Sequence, residues 1–175
     1  MPPILKIVHY PEPVLLTVGK PVEDHEFGPA LEETIEQMFV TMRDAGGVGL
    51  AAPQVGISSR FFVMDIPAAE DRVPVRQAII NPEIISVEGE QLGEEGCLSF
   101  PGLYQNIKRE MRVIARGRDP LGHEIELDVT GLAARCVLHE TDHCDGIVFL
   151  DRMSPLKREL SKRKIKRLRN TGEWE

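Results

Sequence analysis

The sequence predicts an α+β fold, in which small mixed or antiparallel β-sheets surround a central helix. Helical periodicity appears in separate segments, near residues 30–45, 130–146 and 155–169. Short apolar or alternating segments, which are typical of strands, lie between them. Strand and helix do not alternate regularly along the chain, so βαβ units with a parallel sheet are not expected.

The N-terminal helix covers residues 30–45 and is amphipathic. Its apolar side chains recur at helical spacing, and they are Leu31, Ile35, Met38, Phe39 and Met42. The pair Gly46-Gly47 ends this helix. Two short apolar segments follow, at 61–66 and 77–80, and each predicts a buried strand.

Residues 111–129 predict a β-hairpin. Ile125, Leu127 and Val129 alternate with acidic residues, which is typical of a strand with one buried face. Between the two strands, the segment 119–122 (Asp-Pro-Leu-Gly) has the residues that a type I turn prefers at three of its four positions.

The central helix begins after an N-cap at Thr130, runs through His143 and stops at Gly146. Its inward face carries Leu132, Cys136, His139 and His143. The last helix, near 155–169, has a poor apolar stripe that spreads over roughly half of its circumference. We therefore expect the last helix to dock weakly.

The charge distribution is asymmetric. The net charge is −7, yet residues 156–169 contain eight Lys or Arg and one acid, so this segment carries +7 and the remainder carries −14. One interpretation is a contact with a polyanion, for which the RNA of the ribosome is a candidate partner. The alternative is a solvated helix face.

Length and composition favour a single catalytic domain over residues 1–175. No repeat, low-complexity tract or Ser/Gly linker divides the chain. No apolar run approaches the ~18 residues of a membrane helix, so no membrane partner is expected, and residues 1–6 lack the apolar region of a signal peptide. Three cysteines, an odd number, favour free thiols in a reducing cytoplasm of bacterial type, with an organelle left open. The oligomeric state is not determined by these features.

The segment 139–143 (His-Glu-Thr-Asp-His) predicts a metal site. His139 and His143 are spaced i and i+4, so both rings lie on one helix face at ~5–6 Å between Cβ atoms. The pattern H-E-x-x-H is typical of a two-histidine metal site with Glu140 as general base. A structural helix is the alternative interpretation, and a third ligand from elsewhere in the chain makes the metal site the stronger one.

Cys97 is the best third ligand among the three cysteines. Cys136 precedes His143 by seven residues, ~10 Å along a helix, and Cys144 points about 100° away from His143. Both are expected to be small core residues. Cys97 lies between two glycine-containing turns and can approach from outside the helix. Two imidazoles and a thiolate alone suggest Zn²⁺.

Gln54 ends a glycine-rich segment, 47–54, and has two interpretations. It is either a surface glutamine in a loop or a neutral donor for an oxyanion. Gly47 and Gly49 in this segment permit the backbone to approach a ligand closely.

These motifs resemble those of the peptide deformylase family. That family carries G-x-G-x-A-A-x-Q, E-G-C-L-S and Q-H-E-x-D-H in this order, and the chain has them at 47–54, 95–99 and 139–143. Residues 10–15 also look like the family's entry segment, and the resemblance covers roughly residues 4–153. It implies an enzyme that hydrolyses the N-formyl group from the initiator methionine of nascent peptides, with release of formate.

The resemblance also implies roles for individual residues. Cys97, His139 and His143 would be metal ligands. Glu140 would be the general acid/base, with Gln54 and the Leu98 backbone N–H as oxyanion donors. The Gly49 backbone would align the peptide, and Val48, Leu132 and Cys136 would line the methionine pocket together with His139. Family members use Fe²⁺, and Zn²⁺, Ni²⁺ or Co²⁺ can occupy the same site.

Three positions leave room for differences from the family. Leu138 replaces the usual glutamine, Cys144 replaces the usual leucine, and Arg135 is expected to bring a charge to the pocket rim. Two other functions stay open beside the deformylase. One is a metalloendopeptidase of H-E-x-x-H type, against which Cys97 argues. The other is a non-catalytic module that binds the ribosome or RNA.

Overall fold

The computed structural model describes residues 1–174. The α-helices are α1 (Pro29–Asp44), α2 (Gly131–Cys144) and α3 (Pro155–Asn170). The strands are β1 (Gly49–Ala51), β2 (Phe61–Ile66), β3 (Val75–Glu88), β4 (Gln91–Cys97), β5 (Phe100–Arg109), β6 (Arg112–Arg118) and β7 (Glu124–Thr130). Short 3₁₀ turns cover Pro13–Leu16, Asp24–Glu26, Ala52–Val55 and Phe149–Arg152.

Five strands form one antiparallel sheet in the order β1-β2-β3-β6-β7, and β4 pairs with β5 in a separate two-stranded sheet. Successive side chains of a strand point to opposite faces. On β2, Phe62 and Met64 pack in a cluster with α2, whereas Phe61 and Val63 pack in a second cluster with α1. The central sheet is therefore buried on both faces, and α2 lies on the opposite face from α1.

A third apolar cluster joins the two-stranded sheet to α3 and to the N-terminal segment. It contains Leu15, Phe100, Leu103, Ile107, Phe149, Ile165 and Trp174, among others. The Trp174 indole N–H also donates to the Tyr10 carbonyl at 2.8 Å. These contacts hold β5 against the last helix and keep the β4–β5 sheet next to α2.

The predicted α+β class is confirmed, with antiparallel sheets on both sides of the central helix. The hairpin turn at 119–122 closes with the Gly122 N–H donating to the Asp119 carbonyl at 2.9 Å. Gly146 ends the α2 segment with φ 71°, a conformation that glycine adopts without strain. None of the helices within residues 1–174 combines the length and apolar content that crossing a bilayer requires.

Several details differ from the sequence predictions. Strand β3 extends well beyond the predicted 77–80, and β4 and β5 were not predicted, because glycines and charged residues mask their alternation. Cys97 therefore ends a strand, where the prediction placed it between two turns. Thr130 holds the N-cap position, but its hydroxyl makes no capping hydrogen bond.

The prediction of weak docking for α3 was wrong. Leu156 and Leu160 are exposed, as the poor stripe suggested. Ile165, however, is 3% exposed, and Trp174, which lies beyond the helix, is also 3% exposed. The stripe alone could not reveal this, because the small buried residue Ser161 and the terminal Trp174 supply much of the contact.

Candidate active site

Helix α2 and the end of β4 bring the three predicted metal ligands together. The ligand atoms of Cys97, His139 and His143 all lie within 4.8 Å of one another. The distance from Cys97 Sγ to His143 Nε2 is 3.4 Å, and the two imidazole centroids are 5.0 Å apart. One thiolate and two imidazoles at this spacing fit a divalent transition metal.

The His139 ring is oriented by a buried carboxylate. Its Nδ1 lies 2.6 Å from Glu95 Oε2. The other ring nitrogen, Nε2, is therefore on the side that faces Cys97. Glu95 also accepts hydrogen bonds from Nε and Nη2 of Arg109, at 3.0 and 2.8 Å. Burial alone would raise the pKa of Glu95, but the bonds from His139 and Arg109 outweigh it and hold that pKa well below its usual range. Glu95 is therefore a permanent anion behind His139.

Glu140 lies beside the three ligands without joining them. Its Oε1 is 4.0 Å from His139 Nε2. The side chain is almost fully buried, and this burial raises the pKa of Glu140 to about 7. A carboxyl group with a pKa near neutrality can both accept and return a proton, as general acid/base catalysis requires.

The Gln54 amide is buried and held in one orientation. Its Oε1 accepts from the Ala51 N–H at 2.9 Å. Its Nε2 consequently points toward Cys97 Sγ at 3.5 Å and toward Ser99 Oγ at 3.3 Å. Gln54 is only 1% exposed, so the interpretation as a surface loop residue was wrong. The amide N–H₂ group is aimed at the ligand cluster.

A cleft of about 490 Å³ opens in front of these groups. The predicted site residues that line it are Val48, Gly49, Gln54, Cys97, Leu98, Leu132, Cys136, His139 and Glu140. His143 lies behind them. Strand β1 forms one side of the cleft, and it is the terminal strand of its sheet, so an extended peptide can add to its free edge.

Gly49 on this edge has no room for a side chain. A Cβ atom there would lie 2.7 Å from both Cys136 Sγ and Glu140 Oε1. Such distances are far inside van der Waals contact, so β1 can approach α2 this closely only with glycine at this position. The close approach brings the edge of β1 next to Glu140.

A model of the polypeptide deformylase family matches residues 4–159. The chain belongs to the peptide deformylase family. It is 47% identical to the peptide deformylase of Thermodesulfovibrio yellowstonii over 93% of this chain and 97% of that protein. It is 46% identical to the enzyme of Chromobacterium violaceum over 94% of this chain and 95% of that protein.

Solved structures of peptide deformylases have the same fold as this chain. The crystal structure of a peptide deformylase from Legionella pneumophila has a TM-score of 0.87 and 42% identity, and 99% of each chain is covered. That of the Ehrlichia chaffeensis peptide deformylase in complex with actinonin has a TM-score of 0.86 and 35% identity, with 94% of this chain and 96% of that chain covered. The predicted family, fold and enzyme class are confirmed.

Within this deformylase, the other two cysteines lie apart from the ligand group. Cys136 Sγ is 3.7 Å from the Val48 carbonyl oxygen, and burial raises the pKa of its thiol well above the usual value. Cys144 is fully buried in the core, and burial raises the pKa of its thiol to about 12. Both remain protonated at neutral pH, as expected for core cysteines.

Arg135 lines the cleft, as expected, but its charge is paired. The residue is only 5% exposed, and its Nη1 donates to Glu95 Oε1 at 3.0 Å and to the Ile107 carbonyl at 2.9 Å. The expected charge is thus present at the cleft. Arg135 is also a third donor to the Glu95 carboxylate beside His139.

The sequence predictions missed the residues behind the ligands, above all Glu95, Arg109 and Asp142. A signal for Glu95 was available once β4 is recognised as a strand. Residues two apart on a regular strand share a face, which places Glu95 on the side of Cys97, even though the β4–β5 register shifts between Gly96 and Cys97. Arg109, 14 positions away on the partner strand, carried no such signal.

Proposed function

We propose that this chain hydrolyses the N-formyl group of formyl-methionyl nascent peptides and releases formate. The proposal rests on one observation. Cys97, His139 and His143 lie close to one another and next to Glu140, at the bottom of a cleft beside a free strand edge. A formyl group presents only hydrogen beyond its carbonyl carbon, so a narrow cleft bottom can admit it and exclude larger acyl groups.

We infer that Cys97, His139 and His143 hold one divalent metal per chain. When bound, the metal lowers the pKa of a water molecule and polarises the formyl carbonyl. We propose Fe²⁺ as the native ion, on the strength of the family resemblance, with Zn²⁺, Ni²⁺ or Co²⁺ able to replace it. Glu95 supports the assignment of His139 as a metal ligand, since a carboxylate on the second ring nitrogen is the usual partner of a metal-bound histidine.

The remaining roles belong to protein groups alone. Glu140 takes the proton of the attacking water and returns it to the leaving amine. The Gln54 amide and the Leu98 backbone N–H stabilise the negative charge that develops on the formyl oxygen, and each such donor is worth about 3 kcal/mol. The backbone of Gly49 aligns the peptide, while Val48, Leu132 and Cys136 surround the methionine side chain.

The decisive experiment replaces Glu140 and measures metal and rate separately. Glu140→Ala should retain the metal, because Glu140 is not a ligand, and should lower kcat at least about 100-fold. Glu33→Gln, an exposed glutamate on α1, is the control and should change neither quantity. Loss of the metal together with the rate would show that the role of Glu140 is misassigned.

The choice of substrate separates this function from the alternatives. A deformylase should release formate from a formyl-Met peptide and leave the matching acetyl-Met peptide intact. A metalloendopeptidase would instead cleave internal peptide bonds, and a non-catalytic module would do neither. Mass spectrometry of the products, combined with formate detection, distinguishes the three outcomes in one reaction.

Iron as the native ion has its own test. An iron form held by a thiolate should lose activity in air, because a metal-bound thiolate such as that of Cys97 is open to oxidation. The nickel or cobalt form should survive. We expect iron in elemental analysis of protein purified without oxygen, and equal lifetimes of the iron and nickel forms in air would argue against it.

The basic helix α3 supports a further proposal, contact with the RNA of the ribosome from which the substrate emerges. Lys162, Lys166 and Arg169 lie along one side of α3 and line a surface groove together with Tyr10 and Trp174. Neutralised phosphates release counterions, so such binding should weaken steeply as salt rises. The groove brings three positive charges to one place on a helix that is anchored to the core.

Deleting α3 is not a clean test of this proposal, because the structure buries Ile165 and Trp174. Replacing the three cations by glutamine keeps the helix and removes the charge. This variant should co-sediment less with ribosomes at low salt, while it hydrolyses a short formyl-Met peptide within a few-fold of the parent. A variant with glutamine at three exposed cations elsewhere (Lys6, Lys20 and Arg43) has the same net charge. Equal binding of the two variants would contradict the proposal.

We also propose that the whole chain acts as one catalytic unit in the cytoplasm. The support for a reducing compartment is chemical, since Cys97, Cys136 and Cys144 are all free thiols in the structure. A ligand thiolate such as Cys97 would be lost to disulfide formation in an oxidising compartment. Fluorescence microscopy of a tagged chain in its own cell would test the location.

A further inference from the structure

The hydrogen bonds behind His139 continue past Glu95 to the protein surface. Arg109, which binds Glu95 through Nε and Nη2, uses its Nη1 to donate to Asp142 Oδ2 at 2.8 Å. Asp142 in turn accepts from Arg152, with Nε at 3.0 Å from Oδ2 and Nη2 at 2.8 Å from Oδ1. We call these five residues, His139, Glu95, Arg109, Asp142 and Arg152, the support chain.

The support chain ties together four separate parts of the fold. Its members come from α2, from β4, from β5 and from the 3₁₀ turn Phe149–Arg152. Exposure increases along it, since the side chain of Arg109 is 4% exposed, that of Asp142 is 11% exposed and that of Arg152 is 46% exposed. Arg152 is thus the only member of the support chain whose side chain is nearly half exposed.

Arg152 determines how the Asp142 carboxylate is held. Among the described residues, Asp142 Oδ1 receives a side-chain hydrogen bond from Arg152 alone, while Oδ2 is shared with Arg109. Without Arg152, this carboxylate is free to turn about its last torsion. Arg109 would then lose the fixed acceptor for its Nη1 and be held only by Glu95.

We propose that Arg152 is a positioning residue for the metal ligand His139. It fixes Asp142, which fixes Arg109, which in turn holds Glu95 in the orientation that His139 Nδ1 requires. Arg152 has no place in the cleft lining, so it acts entirely through the other members of the support chain. The inference rests on the proposed metal site and is independent of the catalytic step.

An ordinary exposed Arg–Asp pair would not have this effect. Such pairs contribute little to stability, because water screens both charges. Here the outer pair is joined to buried groups, where hydrogen bonds strengthen one another and where partners of a metal-bound histidine affect metal affinity about 10–100-fold. We therefore expect Arg152 to influence metal retention more than it influences unfolding.

The test measures how fast a chelator removes nickel from the loaded, full-length protein. Arg152→Gln should release nickel about three- to tenfold faster, a fraction of the effect of a direct partner of the ligand. Arg152→Lys, which restores the charge but offers a single donor group, should fall between Arg152→Gln and the parent. In the cobalt form, Arg152→Gln should also change the visible absorption bands that report ligand geometry.

The matched control is Arg112→Gln. Arg112 makes the same two-bonded contact with Asp128, at 2.8 and 2.7 Å, and its side chain is 44% exposed, but it lies far from the ligands on β6. Nickel release from this variant should equal that of the parent. Equal release rates for Arg152→Gln and Arg112→Gln would overturn the inference.

A double variant tests the route of the effect. If Arg152 acts through Asp142, then Asp142→Asn combined with Arg152→Gln should release nickel at the rate of Asp142→Asn alone. Multiplying effects would show that Arg152 acts by another path, which contradicts the support chain. Failure of the parent protein to bind nickel at all would instead refute the proposed metal site, so the two failures are distinguishable.

Discussion

Glu95→Gln should be one of the most damaging conservative substitutions in this protein. Glu95 is 5% exposed and receives four charge-assisted hydrogen bonds, two on each carboxylate oxygen. Glutamine has nearly the same shape but only one acceptor oxygen, so two of these bonds are replaced by contacts between donors. Bonds to charged groups contribute about 1.5–3 kcal/mol each, which gives a loss of about 3–6 kcal/mol.

A loss of this size is a large share of the about 5–15 kcal/mol that stabilises a typical domain. Urea unfolding of the metal-free protein, followed by circular dichroism, measures it without interference from metal release. The control is Glu126→Gln, which breaks an exposed contact of 2.8 Å with Arg116 and should change stability little, because water screens both charges. If the two variants unfold at the same urea concentration, the buried network contributes no more than a surface ion pair and our reasoning is wrong.

Three further predictions concern the cleft and the sheet. Cys97→Ala should lose metal and activity together, whereas Cys136→Ala should keep the metal and change mainly KM. Elemental analysis measures the metal content of the two variants, and steady-state kinetics measures their activity. Gly49→Ala should lower kcat/KM at least about tenfold, because its Cβ would lie 2.7 Å from Cys136 Sγ; an unchanged value would mean that β1 can shift freely. Gly117→Ala should cost about 1–3 kcal/mol of stability at unchanged kcat, because its Cβ would lie 2.5 Å from an isoleucine methyl group on the neighbouring strand. Thermal unfolding would check the last, and an unaltered Tm would contradict it.

Local patterns were sufficient for the parts of the fold that have strong periodicity. The stripe of Ile35, Met38 and Met42 predicted α1, and all three side chains are buried against the central sheet. The i, i+4 spacing of His139 and His143 likewise predicted their shared face. In each case the residues that meet are close in sequence, so the helix geometry alone brings them together.

Contacts between segments that are distant in the sequence could not be predicted from local patterns. The pairing of Arg109 with Asp142 joins β5 to α2, and no local pattern relates the two positions. A charged residue in a polar sequence is ordinarily expected in solvent, yet Arg109 is 5% exposed. Only the three-dimensional arrangement shows that its charge is balanced on both sides by carboxylates.

The third apolar cluster has a consequence for how this protein is made. It joins Leu15 near the start of the chain to Ile165 and Trp174 near its end, and β5 lies between them. During synthesis the N-terminal portion leaves the ribosome first, so Leu15 and the β4–β5 sheet must wait for their last packing partners. The end of β4, which carries Cys97, can therefore complete its packing only after Ile165 and Trp174 have left the ribosome. The proposed metal site should gain its full support only after α3 has been synthesised.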